Sequence, residues 1–381
     1  MASVDPTSTS STSPDGPLFS ADAAFDGCLP DVPQRLAAVL EGLAVGELRS
    51  QGASIAEQAQ STPYTLMTLF TADGLLEALE WANAGQPADE NACLWLAYLR
   101  WLRSLEAPWP EAAPSPLPRW LDAAVSNAIL AGAGARATRQ SLEALSTGAM
   151  GEVERPVLPE AQEPDVVLRS VVLGLLPTGW KSVTAMTVNG AAITHGHPEA
   201  QVASVGAALM VQATATAALR GDPQPVHRAL KATVEILPQV TRPGHATVTA
   251  LEAVLSSTQT HTHDDAADLG TPVGSADADG TMSMDGAGDE SMPATGAANM
   301  LAAGIRAALD RELHGGCVLD YSPATDPAVE ALACALAGAA GGLTALTGAG
   351  RPAVPEALVE TVQQVAARWG EQLGVATSDS V

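Results

Sequence analysis

The chain has 381 residues, a formal net charge of −25, a hydrophobic content of 46% and an aromatic content of 3%. That length can bury a large core, while the lack of a Lys/Arg surplus excludes binding to nucleic-acid phosphates and to an anionic membrane surface. Scarce aromatics with abundant Ala, Leu and Val favour small-residue helix packing over a β-sandwich.

Residues 1–25 begin MASVDPTSTSSTSPDGP, which has neither the basic start nor the apolar core of a signal peptide and reads as a disordered tail. From residue 26 to 381 the pattern predicts a single all-α domain. Leu36, Val39, Leu40 and Leu43 keep the spacing of a one-faced helix. Leu66, Leu69, Phe70, Leu76 and Leu79 continue it on a helix starting near Thr65, and Leu94, Ala97, Tyr98, Trp101, Leu102 and Leu105 form the cleanest stripe. A Pro-rich connection spans Pro108 to Pro118. Trp81, Trp95, Trp101 and Trp180 are expected in the core.

The stretch from Thr194 to Gly221 organises the middle of the chain. His197 suits the N-cap, Pro198 the first helical position and Glu199 the positive end of the helix dipole. About twenty residues follow without proline, mostly Ala, Gly, Val, Ser and Thr, before Gly221-Asp222-Pro223 stops the helix. So slim a helix can pack on several sides and belongs near the middle of the fold. Val226, Leu230, Thr233, Val234 and Leu237 mark a further helix closed by Pro238. Ala328–Gly350, rich in Ala and Gly, reads as a buried helix rather than a membrane span, and Leu358, Val362, Val365 and Trp369 form the last stripe, with Gly370 as its cap. Cys28, Cys93, Cys317 and Cys334 contain no CxxC pair, so free thiols in a reducing compartment are expected, and with no targeting segment the cytoplasm.

Residues 256–297 are dominated by Asp, Gly, Ser, Thr and Ala and read as an acidic disordered insertion, suited to recruiting a basic protein partner. The run Thr260-His261-Thr262-His263-Asp264-Asp265 has metal-ligand residue types but reads as solvated loop. Asp277-Ala278-Asp279-Gly280 fails as a calcium loop, since Ser275 and Gly286 stand where Asp and Glu are needed.

Several segments together resemble the ADP-ribosylglycohydrolases, a family that includes dinitrogenase-reductase-activating enzymes. Leu40-Glu41-Gly42-Leu43-Ala44-Val45-Gly46-Glu47 is similar to the family's opening helix, Thr194-His195-Gly196-His197-Pro198-Glu199-Ala200 to its middle signature, and Ala333-Cys334-Ala335-Leu336-Ala337-Gly338-Ala339 to its final Ala/Gly-rich helix. The resemblance spans about residues 33 to 370 and implies a compact multi-helix fold and hydrolysis of ADP-ribosyl bonds with two Mg²⁺ held by carboxylates and threonines. It places the family's Thr-Asp-Asp-Thr motif on Thr62-Pro63-Tyr64-Thr65 and its Asp-x-Asp-Thr motif on Thr325-Asp326-Pro327-Ala328. The aspartates are replaced in both. The Gly-rich loop expected before Leu168-Arg169 is Pro164-Asp165-Val166-Val167, without glycine, and Ser54 is the nearest match to an expected acidic residue. Asp277, Asp279 and Thr281 nearly spell the second motif but lead into no Ala-rich helix.

The resemblance thus implies a vestigial ligand site at Thr62, Tyr64, Thr65, Arg169, His195, Thr325 and Asp326, with no catalytic residue, no metal ligand and no cofactor expected. Its ligand would be ADP-ribose or an ADP-ribosylated protein, held weakly. Each residue also has a plainer role. Thr62 and Thr65 would cap their helix, Tyr64 would fill space once taken by metal and water, and Asp326 would cap the last Ala-rich helix. Arg169 would form a salt bridge, His195 would pack, and Glu47 would be a surface charge. The expectation is a catalytically inactive homologue that binds or interacts, the alternative a divergent metal-dependent hydrolase.

Overall fold

The computed structural model describes residues 18–19, 31–51, 62–126, 138–240, 244–267, 296–315, 318–348 and 350–375. The described residues form thirteen α-helices, with short 3-10 turns between some of them and no strand. The all-α expectation holds. The first helix, α1 (Val32–Ser50), is buried along nearly its whole length, and α2 (Pro63–Asn83) and α3 (Glu90–Ser104) pack as the next pair. Short α4 (Trp120–Ser126), α5 (Arg139–Ser146) and α6 (Asp165–Ser170) lead through a 3-10 turn, Val171–Leu175, to α7 (Trp180–Ala192). Then come α8 (Pro198–Leu219), α9 (Pro225–Ile236) and α10 (His245–Ala267). The chain closes with α11 (Ala297–His314), α12 (Pro327–Gly341) and α13 (Glu356–Leu373).

Two axes organise these helices. The first is α8, which touches α6, α7, α9, α10, α11 and α12, and whose residues are buried without a break from Ala200 to Ala217. Ala, Gly, Ser and Thr keep its cross-section small, so neighbours approach on every side, as its composition predicts. The second axis is the α1–α12 pair, where backbones meet. A Cβ on Gly42 would lie 2.5 Å from the Cys334 carbonyl oxygen, and one on Gly46 would run into the backbone of Glu330 and Ala331. Gly338 packs in the same way on the Ala38 carbonyl. Helix α8, and α12 together with the 3-10 turn that extends it to Leu346, are long and apolar enough to cross a membrane, but 89% and 61% of their most apolar windows are buried inside the fold, as in core helices.

Burying α1 takes its charged side chains inside with it, and each finds a partner. Arg35 reaches Asp31 at 2.8 Å and the Ala339 carbonyl near the end of α12, Glu41 binds Arg351 at 2.6 Å, and Arg49 meets Glu330. A second recurrent device is a glutamate from one helix closing the N-terminus of another. Glu199 on α8 accepts from the N–H groups of Ala246 and Thr247 that open α10, at 3.0 and 2.9 Å. Glu312 on α11 does the same for Val226 and His227 of α9 at 2.7 and 2.8 Å. The orphan donors of a helix start are met by a formal charge, and two helices are fixed end to side.

The structure corrects several local expectations. Helix α10 continues through residues 256–267, where composition suggests the start of the insertion. Residues 268–295, with Asp277, Asp279 and Thr281, lie outside the described residues, as does the tail apart from Leu18 and Phe19. Trp81 is 48% exposed and therefore not core, whereas Trp101 and Trp180 are buried. Helix α13 passes through Gly370 and ends at Gly374, whose left-handed φ of 66° a glycine adopts without strain. Helix α2 starts at Pro63 rather than Thr65.

Candidate functional site

The end of α1 and the start of α2 meet through Glu47. Its carboxylate is almost fully buried and accepts from the backbone N–H of Tyr64 and of Thr65, each at 2.9 Å, and from the Thr65 hydroxyl. Glu47 is therefore the cap of α2 and not a surface charge. Thr62 stands at the N-cap position but its side chain makes no capping bond, and the hydroxyl of Thr65 serves Glu47 instead. Sequence reasoning gave this role to the threonines because it considered only neighbours in the chain. Burial raises Glu47 to about 7, opposed by the Thr65 hydroxyl and the two backbone donors.

Beside α2, a buried polar cluster joins α5, α6 and the turn before α8. Asp165 and His195 are both fully buried, with His195 Nε2 at 3.3 Å from Asp165 Oδ1, a contact poorly aligned as a hydrogen bond. Arg169 donates to the Ser141 hydroxyl at 2.9 Å, to the Thr194 hydroxyl at 2.7 Å and to the Gly190 carbonyl at 3.3 Å. Ser141 in turn donates to Asp165, and the Thr194 hydroxyl shares a hydrogen bond of 2.8 Å with His195 Nδ1, in which either atom can donate. The Arg169 guanidinium also lies 4.5 Å from the centre of the Tyr98 ring. Burial pushes the Asp165 carboxyl up, but His195, Arg169 and Ser141 outweigh it and hold the group below the usual carboxylate range.

Arg169 thus spends its donors on hydroxyls and a carbonyl rather than in the salt bridge expected of it. His195 is packed, as expected, and Asp165, which the motif comparison counts only as a missing glycine, is the acid that faces it. One signal for it was available: Asp165 and Arg169 are spaced i, i+4, which puts acid and base on one helix face.

Tyr64 sits where this cluster, the end of α1 and the start of α12 converge. Its hydroxyl is pushed well above the usual phenol range, first by burial and then by the negative charges of Asp165, Glu47, Asp326 and Glu163. Asp326 is the N-cap of α12, accepting from the Ala328 N–H at 2.9 Å, and His197 caps α8 through the Glu199 N–H at 3.2 Å. Both caps are as the sequence predicts. Of the anticipated residues, the fold gathers Thr62, Tyr64, Thr65, Arg169, His195 and Asp326 around the interior ends of α1, α2, α6, α8 and α12, and leaves Thr325 exposed.

The donor set does not fit a pair of hard divalent cations. Pro63 has no side-chain oxygen, and Tyr64 stays a neutral phenol at physiological pH, a poor replacement for a carboxylate. Both oxygens of Glu47 accept from α2, one oxygen of Asp326 accepts from α12, and Asp165 Oδ2 accepts from Ser141, while its Oδ1 has no hydrogen-bond partner. Among the described residues, no three His, Cys, Asp or Glu side chains are grouped to hold a metal ion.

Comparison with known proteins agrees with the all-α fold and the family resemblance. The family model described as ADP-ribosylglycohydrolase matches residues 29–377, nearly the whole chain. A comparison with curated proteins gives no match.

Proposed function

The chain belongs to the ADP-ribosylglycohydrolase family, and we propose that it is a non-catalytic member of it, acting through binding or interaction. One observation carries the proposal. At the start of α2, where the family's metal-binding aspartates would stand, the chain has Pro63 and Tyr64, and the carboxylate that meets this helix start, Glu47, is engaged by the Tyr64 and Thr65 N–H groups. Carboxylates crowded around an empty centre repel one another, and a neutral phenol among them relieves that repulsion without a cation. The same acidic surroundings make a poor host for a pyrophosphate, so any contact with ADP-ribose or an ADP-ribosylated protein would be weak and independent of magnesium. No cofactor is required.

The family's own activity supports a second reading, a divergent hydrolase. Glu47, raised to about 7, exchanges protons near neutral pH, as a general acid or base must. An assay of ADP-ribose release from a modified protein, with added Mg²⁺ or Mn²⁺, separates the two. Absence of release above background supports the non-catalytic proposal and removes the hydrolase. Metal-dependent release, or tight calorimetric binding of ADP-ribose that requires Mg²⁺, overturns it. The buried free thiols Cys93 and Cys334 support a reducing compartment, and with it the cytoplasm.

A further inference from the structure

Of the four large hydrophobic side chains exposed among the described residues, two line one cavity. Trp81, 48% exposed, and Leu117, 83% exposed, bound a space of about 500 Å³ between the end of α2, the start of α3 and the Pro-rich connection. Arg103 fixes that connection, donating to the Pro116 carbonyl at 3.3 Å and to the Ser115 hydroxyl at 3.0 Å. Its guanidinium also lies 4.7 Å from the ring centre of Trp109, a third exposed side chain. Trp81 follows Tyr64 along α2 by roughly 25 Å at the ordinary helical rise, so the cavity is separate from the site described above.

The charges of this cavity are one-sided. Both of its carboxylates have an oxygen to spare. Asp89 caps α3 through Oδ1 alone, accepting from the Asn91 and Ala92 N–H groups at 3.0 Å each. Among the described residues Glu77 reaches only Arg119, through Oε2 at 3.9 Å. The cation on the wall is already spent, since Arg100 is buried and pairs with Asp73 at 2.6 Å and Asp122 at 3.0 Å. Cys93, also on the wall, registers the resulting field. Its thiol is pushed up to about 11, first by burial and then by Glu77, Asp89 and Glu90, against the opposing charge of Arg119. An anion is poorly served here, because the first N–H groups of α3 belong to Asp89 and the wall residues Pro87, Pro114 and Pro116 have none. Two carboxylates among apolar walls are also too few oxygens for a hard metal ion.

We propose that this cavity binds a small organic monocation of the arylalkylamine class, its ammonium beside Glu77 and Asp89 and its apolar body against Trp81, Leu96 and Leu117. An indole face and a carboxylate attract the same charge, so the aromatic and acidic parts of the wall act together. A mostly apolar space of this volume, with a few polar groups on one side, has the make-up of a small-molecule pocket.

The test is calorimetric titration of the full chain with 4-phenylbutylamine, using 4-phenylbutan-1-ol and 4-phenylbutanoate as neutral and anionic controls of the same shape. Saturable binding of the amine is expected, at least about fivefold tighter than either control. The double variant Glu77→Gln/Asp89→Asn should weaken it by at least about fivefold and Trp81→Ala by at least about threefold. Asparagine keeps a cap oxygen for α3, and Trp81 is half exposed, so these lesions spare the core. They are independent of each other, and one suffices if the other does not fold. The proposal is overturned if the amine does not saturate, if either control comes within fivefold of it, or if a folded variant falls short of its stated loss.

Discussion

The carboxylate of Glu47 holds the backbone N–H of Thr65 at 2.9 Å, across the junction between α1 and α2. With the matching bond from Tyr64, it satisfies two of the orphan donors of a helix whose own N-cap side chain contributes none. Glu199 of α8, capping α10, and Glu312 of α11, capping α9, repeat the device. It fixes the direction of one helix by the position of a single side chain on another. It also ties the fold to the candidate site, because the residues held by Glu47 are those on which the family's first metal motif falls.

The pH dependence of stability follows from the burial of Glu47. Its pKa rises from 4.5 to about 7 on folding, so the folded state binds the proton more tightly. The contribution is fully present below pH 4.5 and is lost as pH rises through about 7; its size is about 3 kcal/mol. Glu47→Gln is expected to flatten the decline between pH 5 and pH 8, measured by urea unfolding at a series of pH values. An unchanged decline in the variant would show that Glu47 is not its source.

Much of the fold is legible because its helices announce themselves locally. The 36/39/40/43 stripe, the His197 and Asp326 caps and the slim composition of α8 all act through near neighbours in the chain. What escapes the sequence is tertiary. Nothing near Glu47 shows that α1 will be buried on all sides or that its carboxylate will close a helix beginning many residues later. The exposure of Trp81 likewise depends on which face of α2 is left uncovered. At the candidate site the loss of the aspartates can be read directly by motif, whereas the contact of Asp165 with His195 is made only by folding.

Asp165 should be among the least replaceable polar residues. It is the carboxylate facing a buried guanidinium and a buried imidazole, so Asp165→Asn leaves Arg169 without its negative neighbour. Removing the charge that compensates a buried cation nearby costs about 3 kcal/mol. Because the folded state holds Asp165 below its ordinary pKa, its contribution is present above the unfolded value and is lost as pH falls through the lowered folded one. Chemical denaturation should therefore show Asp165→Asn strongly destabilised at neutral pH and less affected in acid. A cost under 1 kcal/mol at neutral pH would exclude this role for the carboxylate.

The α1–α12 contact predicts a contrast between two glycines. Gly46→Val would drive side-chain atoms into the backbone of Glu330 and Ala331, where no flexible side-chain end can yield. The expected loss is about 3 kcal/mol or more, at the upper end for overpacking. Gly221→Ala meets open space and pays only for its left-handed φ of 75°, about 1 kcal/mol. Thermal melting of the two variants tests the ranking directly, and equal losses would contradict the close approach of the two helices.

Restoring a carboxylate at Tyr64 tests the electrostatic account of the site. Tyr64→Asp would place a negative charge among Asp165, Glu47, Asp326 and Glu163, the groups that already push the Tyr64 hydroxyl up. With no cation added, the uncompensated charge is expected to cost about 3 kcal/mol at neutral pH. The cost should shrink as pH falls and the new carboxyl is protonated. Added Mg²⁺ should not produce ADP-ribose release, because Pro63 still supplies no oxygen beside it. Denaturation across pH, with and without Mg²⁺, alongside the release assay measures all three effects. A variant as stable as the wild type would mean that these charges do not converge on position 64, and release would mean that a single restored carboxylate is enough to rebuild the family's chemistry.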